Sequence, residues 1–281
     1  MILDGLALSK EFRAELKVRV DSLRSKGIIP KLDVIVAAQD PASVSYVKMK
    51  HRWAEQIGMA GDSYEITDET TQEELIEIIY KLNADKSVHG VLLQHPLPKH
   101  LDENAALLAL GAAKDVDGIT PASLGRLVAG LPGFRCATPL GITKILDHYK
   151  IDVTGKRALV IGRSHILGKP MALILLERNA TVTIAHSKTV DLADRCREAD
   201  ILVAAVGRAE MIKGDWIKPG AIVIDAGYNK VEGKSGDVGD VHFESAVEVA
   251  GAITPVPGGV GPMTVASLLS NAVDAAEKTV S

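Results

Sequence analysis

Cysteine is scarce in this sequence: two in 281 residues, Cys136 and Cys196, far apart and in no Cys-x-x-Cys pair. That pattern excludes a structural zinc cluster and fits a reducing compartment. Aromatics make up only 4% of the chain, and 32 Lys+Arg stand against 36 Asp+Glu with no basic block. Without a basic stripe carrying aromatics, nucleic acid is not an expected partner. Long apolar runs are missing as well; Met171–Leu176 is typical of the longest and falls far short of a bilayer span. The opening Met1-Ile2-Leu3-Asp4-Gly5 breaks its apolar run at once, so no secretory signal is expected. A cytoplasmic setting follows as an expectation. No low-complexity segment or internal repeat is evident.

What is present is an apolar content of 47%, enough for two domains of ordinary size to bury their own cores. Apolar, β-branched runs at Leu32–Ala37, Ser63–Ile66, Val88–Leu93, Ala158–Ile161, Thr181–Ala185, Ile201–Ala205 and Ala221–Asp225 read as strands. Between them, helical patterns cover Ser9–Lys26, Ser43–Ile57, Gln72–Leu82, Leu140–Tyr149, Gly168–Glu177, Asp191–Arg197 and Met263–Lys278. Such alternation predicts an α/β fold with parallel sheets covered by helices on both faces. From Ala158 onward the strands recur with the rhythm of a Rossmann-type domain. The expected division is therefore 1–140, completed by a C-terminal helix at 262–281, and a Rossmann-like domain at 141–261.

The segment from Arg157 to Met171 reads as strand, glycine turn and helix. Gly162 would let the chain turn tightly and approach a pyrophosphate. Gly168 would allow close packing of helix and strand, and the helix N-terminus supplies N–H groups and positive dipole. The glycines are six apart and do not form G-x-G-x-x-G, so the spacing is weak by itself and gains weight from its place at the first strand of the series. The second strand of the series ends in His186-Ser187-Lys188, where an NAD site usually carries an acid for the ribose hydroxyls. A hydroxyl and a cation there, with Arg163 in the glycine turn, suit a 2′-phosphate, and NADP is the expected cofactor. An ordinary solvated strand end is the alternative.

In the first half, Tyr46, Met49, Lys50, Trp53 and Ile57 share one helix face, opposite Lys48, Arg52 and Glu55. A lysine in an apolar stripe either packs its stem and reaches water with its amine, or is desolvated and becomes a proton carrier near neutrality. Tyr46 would be a stacking surface or a core aromatic. Gln94 and His95 lie at the carboxyl end of a strand, where ligands of open α/β sheets bind. Asp115 and Asp117, in a loop, either orient a ligand or shape a turn. The Pro255–Thr264 segment, with three glycines and three prolines, suits a hinge or a ligand-lining loop.

Taken together, five motifs resemble the bifunctional methylenetetrahydrofolate dehydrogenase/methenyltetrahydrofolate cyclohydrolase family. They are Ser43-Val-Ser-Tyr46-Val-Lys-Met-Lys50, Gln94-His-Pro-Leu-Pro98, Lys114-Asp-Val-Asp-Gly118, Gly162-Arg-Ser164 with Gly168-Lys-Pro170, and Pro255–Thr264. The resemblance covers essentially the whole chain. It implies an amino-terminal folate domain, an NADP-binding domain, a cleft between them and a homodimer. It also implies oxidation of 5,10-methylenetetrahydrofolate to the methenyl form and hydrolysis to 10-formyltetrahydrofolate. By that resemblance Lys50, held by Gln94, is the central catalytic residue, with Tyr46 stacking on the aminobenzoyl ring and Asp117 bonding the pterin. Leu93, His95, Pro257, Gly258, Gly259, Val260 and Gly261 would line the folate pocket. Gly162, Arg163, Ser164, Gly168, Ser187 and Tyr228 would hold the cofactor, and no metal is implied. His95 departs from the leucine common in the family. Ala137 stands after Cys136 where a Cys-Thr-Pro run is usual, and Tyr228 stands where a smaller aliphatic is frequent. A shikimate dehydrogenase-like enzyme would share the architecture but not the Tyr46, Lys50 and Gln94 set. A binding protein without catalysis would be expected to lack Lys50 or Gln94.

Overall fold

A computed structural model describes residues 1–39, 41–231 and 236–280, apart from the side chains of residues 41–43 and 45. The motif serines Ser43 and Ser45 thus have side chains outside the described residues. The chain divides into two compact units, Glu11–Ala137 with Val265–Ser281, and Met1–Lys10 with Thr138–Thr264. The division falls inside three helices, α1 (Gly5–Ser25), α6 (Ala137–His148) and α10 (Val260–Glu277).

The unit built on Glu11–Ala137 contains a three-stranded parallel sheet of order β2-β1-β3: β1 (Leu32–Ala37), β2 (Ser63–Ile66) and β3 (Gly90–Leu93). All residues of the central strand β1 are buried, as expected of a strand covered on both faces. Helix α2 (Pro41–Gln56) follows β1 and α3 (Gln72–Ala84) follows β2. The α3 start is set by a capping box in which Thr71 and Glu74 satisfy each other's backbone N–H groups. Two short helices, α4 (Glu103–Ala109) and α5 (Pro121–Val128), were not anticipated from hydrophobic period. Their signals are local instead: Asp102 caps α4, and Thr120 with Pro121 starts α5. The core joins Leu16, Val20, Val34, Val47, Trp53, Ile57, Leu92, Leu268, Leu269 and Val273, so the last helix completes this unit.

The other unit carries a five-stranded parallel sheet of order β5-β4-β6-β7-β8. Its strands are β4 (Arg157–Ile161), β5 (Thr181–Ala185), β6 (Ile201–Ala204), β7 (Ile222–Asp225) and β8 (Ala252–Ile253). Helices α7 (Gly168–Glu177), α8 (Leu192–Glu198) and α9 (Phe243–Val247) connect them. The order places the topological switch point between β4 and β6, where open α/β sheets bind ligands. Residues 1–10, expected with the first half, belong here. Ile2 bridges to Ile253, and the Leu3 N–H donates to the Ile253 carbonyl at 2.9 Å, extending the β8 edge. Strand β8 and helix α9 were too short to be read from apolar period.

Buried Asn271 on α10 ties the sequence-distant ends of the first unit together. Its Nδ2 donates to the Val116 carbonyl at 2.8 Å and to the Arg135 carbonyl at 3.0 Å. Asn271→Leu keeps the volume but strands two buried acceptors, so unfolding should be easier by about 1–3 kcal/mol. Urea denaturation checks this; an unchanged midpoint would mean that water replaces both bonds.

Candidate active site

Lys50 lies on the buried side of α2 with Val47, Trp53 and Ala54, and buried Ile57 follows just past the helix end, whereas Lys48, Arg52 and Glu55 are exposed. Its residue surface is only 5% exposed, so the desolvated alternative holds and the amine does not snorkel to water. Three groups meet the amine. Nζ donates to Gln94 Oε1 at 2.8 Å, stands 4.4 Å from the Tyr46 ring centroid, and feels the Asp117 carboxylate. Burial pushes the Lys50 pKa down to about 8, and Asp117 opposes that shift by favouring the ammonium.

Each partner is positioned by the backbone beneath it. Gln94 directly follows β3, and its N–H donates to the Ile35 carbonyl of β1 at 2.8 Å. Its amide NH2 donates to the His95 carbonyl at 2.8 Å, which leaves Oε1 turned to the lysine. Leu93 is a buried sheet residue, so toward a ligand it offers placement and not a side chain. The His95 ring pairs with Glu103 at 3.0 Å, at the start of α4. Glu103 was missed by sequence reading because α4 itself was.

Asp115 and Asp117, two apart, have different tasks. The buried Asp115 carboxylate accepts from the N–H groups of Gly118 at 2.9 Å, Ile119 at 3.3 Å and Thr120 at 2.9 Å. It therefore shapes the loop, the role sequence reading weighed for both acids. Asp117 is half-buried; desolvation raises its pKa, Lys50 and His95 oppose the rise, and Asp115 adds to it. Nearby Cys136 donates from Sγ to the Gly118 carbonyl, and burial holds its thiol well above the ordinary range. It is an inert filler, as is Cys196, whose thiol burial pushes up to about 12.

The expected nucleotide residues lie in the other unit. Gly162 has φ +130°, and a Cβ there would stand 2.2 Å from the Ala205 carbonyl oxygen. A Cβ on Gly168 would stand 2.2 Å from the Gly162 carbonyl oxygen. Both positions therefore require glycine, and the start of α7 closes directly on the turn after β4. Ser164 Oγ accepts from the N–H groups of Leu167 and Gly168 at 3.2 and 3.3 Å, so this serine also builds the cradle. Arg163, in the turn itself, and Ser187 and Lys188, just after β5, are exposed. Tyr228 is exposed, and its hydroxyl donates to Asp237. The Pro257–Gly261 residues form the entry to α10, where the Leu6 N–H donates to the Gly258 carbonyl at 2.7 Å. The cradle of turn and helix N-terminus fits a dinucleotide phosphate.

The tetrahydrofolate dehydrogenase/cyclohydrolase catalytic-domain model matches residues 3–117. The NAD(P)-binding-domain model of the same family matches residues 136–280. The bifunctional protein FolD of Moorella thermoacetica is 52% identical, over 99% of both chains. The crystal structure of a FolD methylenetetrahydrofolate dehydrogenase/cyclohydrolase from Campylobacter jejuni superposes with TM-score 0.97, at 46% identity over 99% of both chains. That of the Trypanosoma brucei dehydrogenase-cyclohydrolase, complexed with NADP and an inhibitor, superposes with TM-score 0.95, at 37% identity over 100% of this chain and 98% of that one. A shikimate 5-dehydrogenase from Thermus thermophilus reaches TM-score 0.51 at 17% identity, over 90% of this chain and 99% of that one, a likeness of fold alone. Two domain models in the family's order and full-length relatives at this identity show that the chain belongs to the tetrahydrofolate dehydrogenase/cyclohydrolase family.

Proposed function

We propose that the Lys50, Gln94, Tyr46 and Asp117 cluster carries the two activities of the family, oxidation of 5,10-methylenetetrahydrofolate and hydrolysis of the methenyl product. The observation that supports this most is the buried amine bonded to Gln94, with its pKa brought near neutrality. A group titrating close to the working pH can give and take a proton with little driving force lost. As ammonium, Lys50 donates to Gln94 and sits against the Tyr46 ring. As neutral amine, it can accept a proton from water attacking the methenyl carbon and return it as the ring opens. Gln94 keeps the amine aimed in both states. Asp117, with its raised pKa, is suited to grip the polar edge of the pterin, and Tyr46 to stack on the aminobenzoyl ring.

NADP, when bound, supplies the hydride acceptor for the oxidation. Gly162, Ser164 and Gly168 would hold its phosphates at the start of α7, and Arg163 with Ser187 its 2′-phosphate. The setting we assign is a cytoplasmic homodimer. Ile184 on edge strand β5 and Leu176 on α7 are 43% and 59% exposed, apolar surface that a second copy would cover.

Lys50→Met retains the apolar stem and removes the amine. Cyclohydrolase turnover should fall by about 10²–10⁴-fold, with dehydrogenase activity less affected, since hydride transfer rests mainly on alignment. Near-normal hydrolysis of methenyltetrahydrofolate by a folded variant would remove Lys50 from the mechanism and direct attention to His95. For the cofactor, kcat/KM with NADP should exceed that with NAD, and Arg163→Ala should narrow the gap by about tenfold. That figure takes the low end of a charge-assisted bond because the side chain is exposed. Equal efficiencies in the wild type would contradict the assignment.

A further inference from the structure

Across the switch point, adjoining the glycine turn, lies the segment after β6, Ala205–Arg208, and its shape is imposed by an acid distant in sequence. Asp240 is fully buried. Its Oδ2 accepts from the N–H groups of Val206 at 2.6 Å and Gly207 at 3.1 Å. Its Oδ1 accepts from the Arg208 N–H at 2.8 Å and from Asn229 Nδ2 at 3.0 Å. Three successive backbone donors thus converge on one carboxylate, an arrangement that fixes the main-chain direction at each residue. Gly207 in this segment has φ +64°, so the path is a curled one that the chain would not hold unaided.

Asp240 is itself anchored by a second buried acid. Asp225, the last residue of β7, accepts from the N–H groups of Asp240 at 3.0 Å, Val241 at 2.9 Å and Gly227 at 2.9 Å. The space is closed around both: a Cβ on Gly227 would stand 2.4 Å from Asp240 Cγ, and one on Gly239 would stand 1.8 Å from Asp225 Oδ2. The segment they hold abuts the glycine turn, because the Ala205 carbonyl oxygen is what a Cβ on Gly162 would strike. The Ala205 N–H also donates to the Ile161 carbonyl at the end of β4.

The two loops at the switch point, one after β4 and one after β6, are therefore the two sides of one nucleotide crevice; the first is built by its own glycines, and the second needs a buried acid besides its Gly207. We propose that Asp240 is a positioning residue for the dinucleotide, fixing the 206–208 backbone against which the cofactor lies, with Asp225 anchoring it from β7. Asp240 does not touch the cofactor; it acts through the segment it holds. This rests on the reading of the second unit as the cofactor domain.

The test uses the full-length protein. Wild-type binding of NADP is measured first by calorimetry, and failure there would overturn the cofactor reading itself. In Asp240→Asn one oxygen becomes an NH2 that cannot accept, so the segment loses part of its hold at nearly constant volume. The dissociation constant and KM for NADP should rise about tenfold, the equivalent of one charge-assisted bond. Dehydrogenase kcat at saturating NADP, the KM for folate and cyclohydrolase turnover should stay within about twofold. Unchanged NADP affinity, or proportional loss of both activities, would overturn the proposal and leave Asp240 a purely structural acid. Asn229→Ala removes one donor from Oδ1 and spares the three backbone bonds. It should weaken NADP by about threefold with the same split, and it decides the question if Asp240→Asn does not fold. An unchanged dissociation constant in Asn229→Ala would then overturn the proposal.

Discussion

Removing an ammonium group from water is costly, and the structure of the first unit is arranged around having done so at Lys50. Lowering its pKa from 10.5 to about 8 corresponds to about 3 kcal/mol of preference against the charged form. That cost is carried by the rest of the unit. The buried side of α2 packs on the core through Val47, Trp53 and Ala54 and so takes Lys50 inward with it. Gln94, fixed at the end of β3, offers the amine an oxygen. Asp117, presented by a loop that Asp115 and Asn271 hold from either side, limits how far the pKa falls. The outcome is an amine that neither stays permanently charged nor is permanently neutral.

The second unit meets an opposite electrostatic problem by related means. Asp225 and Asp240 are buried acids close enough that Asp240 helps raise Asp225, which burial mainly brings to about 6. Their stabilisation comes from backbone N–H groups. In both units a desolvated charge fixes the geometry of a loop at the carboxyl end of a parallel strand. Carboxylates do so for Gly118–Thr120 and for Val206–Arg208 alike, because one anion can satisfy several converging backbone donors.

Most of the sheet framework was readable because parallel strands buried on both faces leave uninterrupted apolar runs, as in Ala158–Ile161 and Ile201–Ala204. The Lys50 face was readable from helical spacing, although spacing could not say whether the amine reached water; that required the depth of packing around it. Short elements escaped for a different reason. Helices α4, α5 and α9 and strand β8 carry too few turns or pairs for a period, and only the helices' caps announce them. The turn-shaping role of Asp115 was one of the two readings its place in a loop allowed, but the loop-holding roles of Asp240 and Asn271 were invisible because nearly all their partners are backbone groups, which sequence does not distinguish. Residues 1–10 join the second unit through main-chain bonds to residues 251–258, which no apolar period announces.

The central claim is that Lys50 is held out of water and tuned by its neighbours, and its own titration tests this most directly. Heteronuclear NMR of side-chain-labelled lysine, with the signal assigned by its loss in Lys50→Met, should give a midpoint near pH 8. Because the folded-state pKa is lowered, the penalty on the ammonium is present below about pH 8 and is relieved as pH rises toward 10.5. In Asp117→Asn the midpoint should move lower still, since the anion favouring the ammonium is gone. A wild-type midpoint near 10.5 that ignores Asp117 would contradict the account and make Lys50 a surface-like amine on a packed stem.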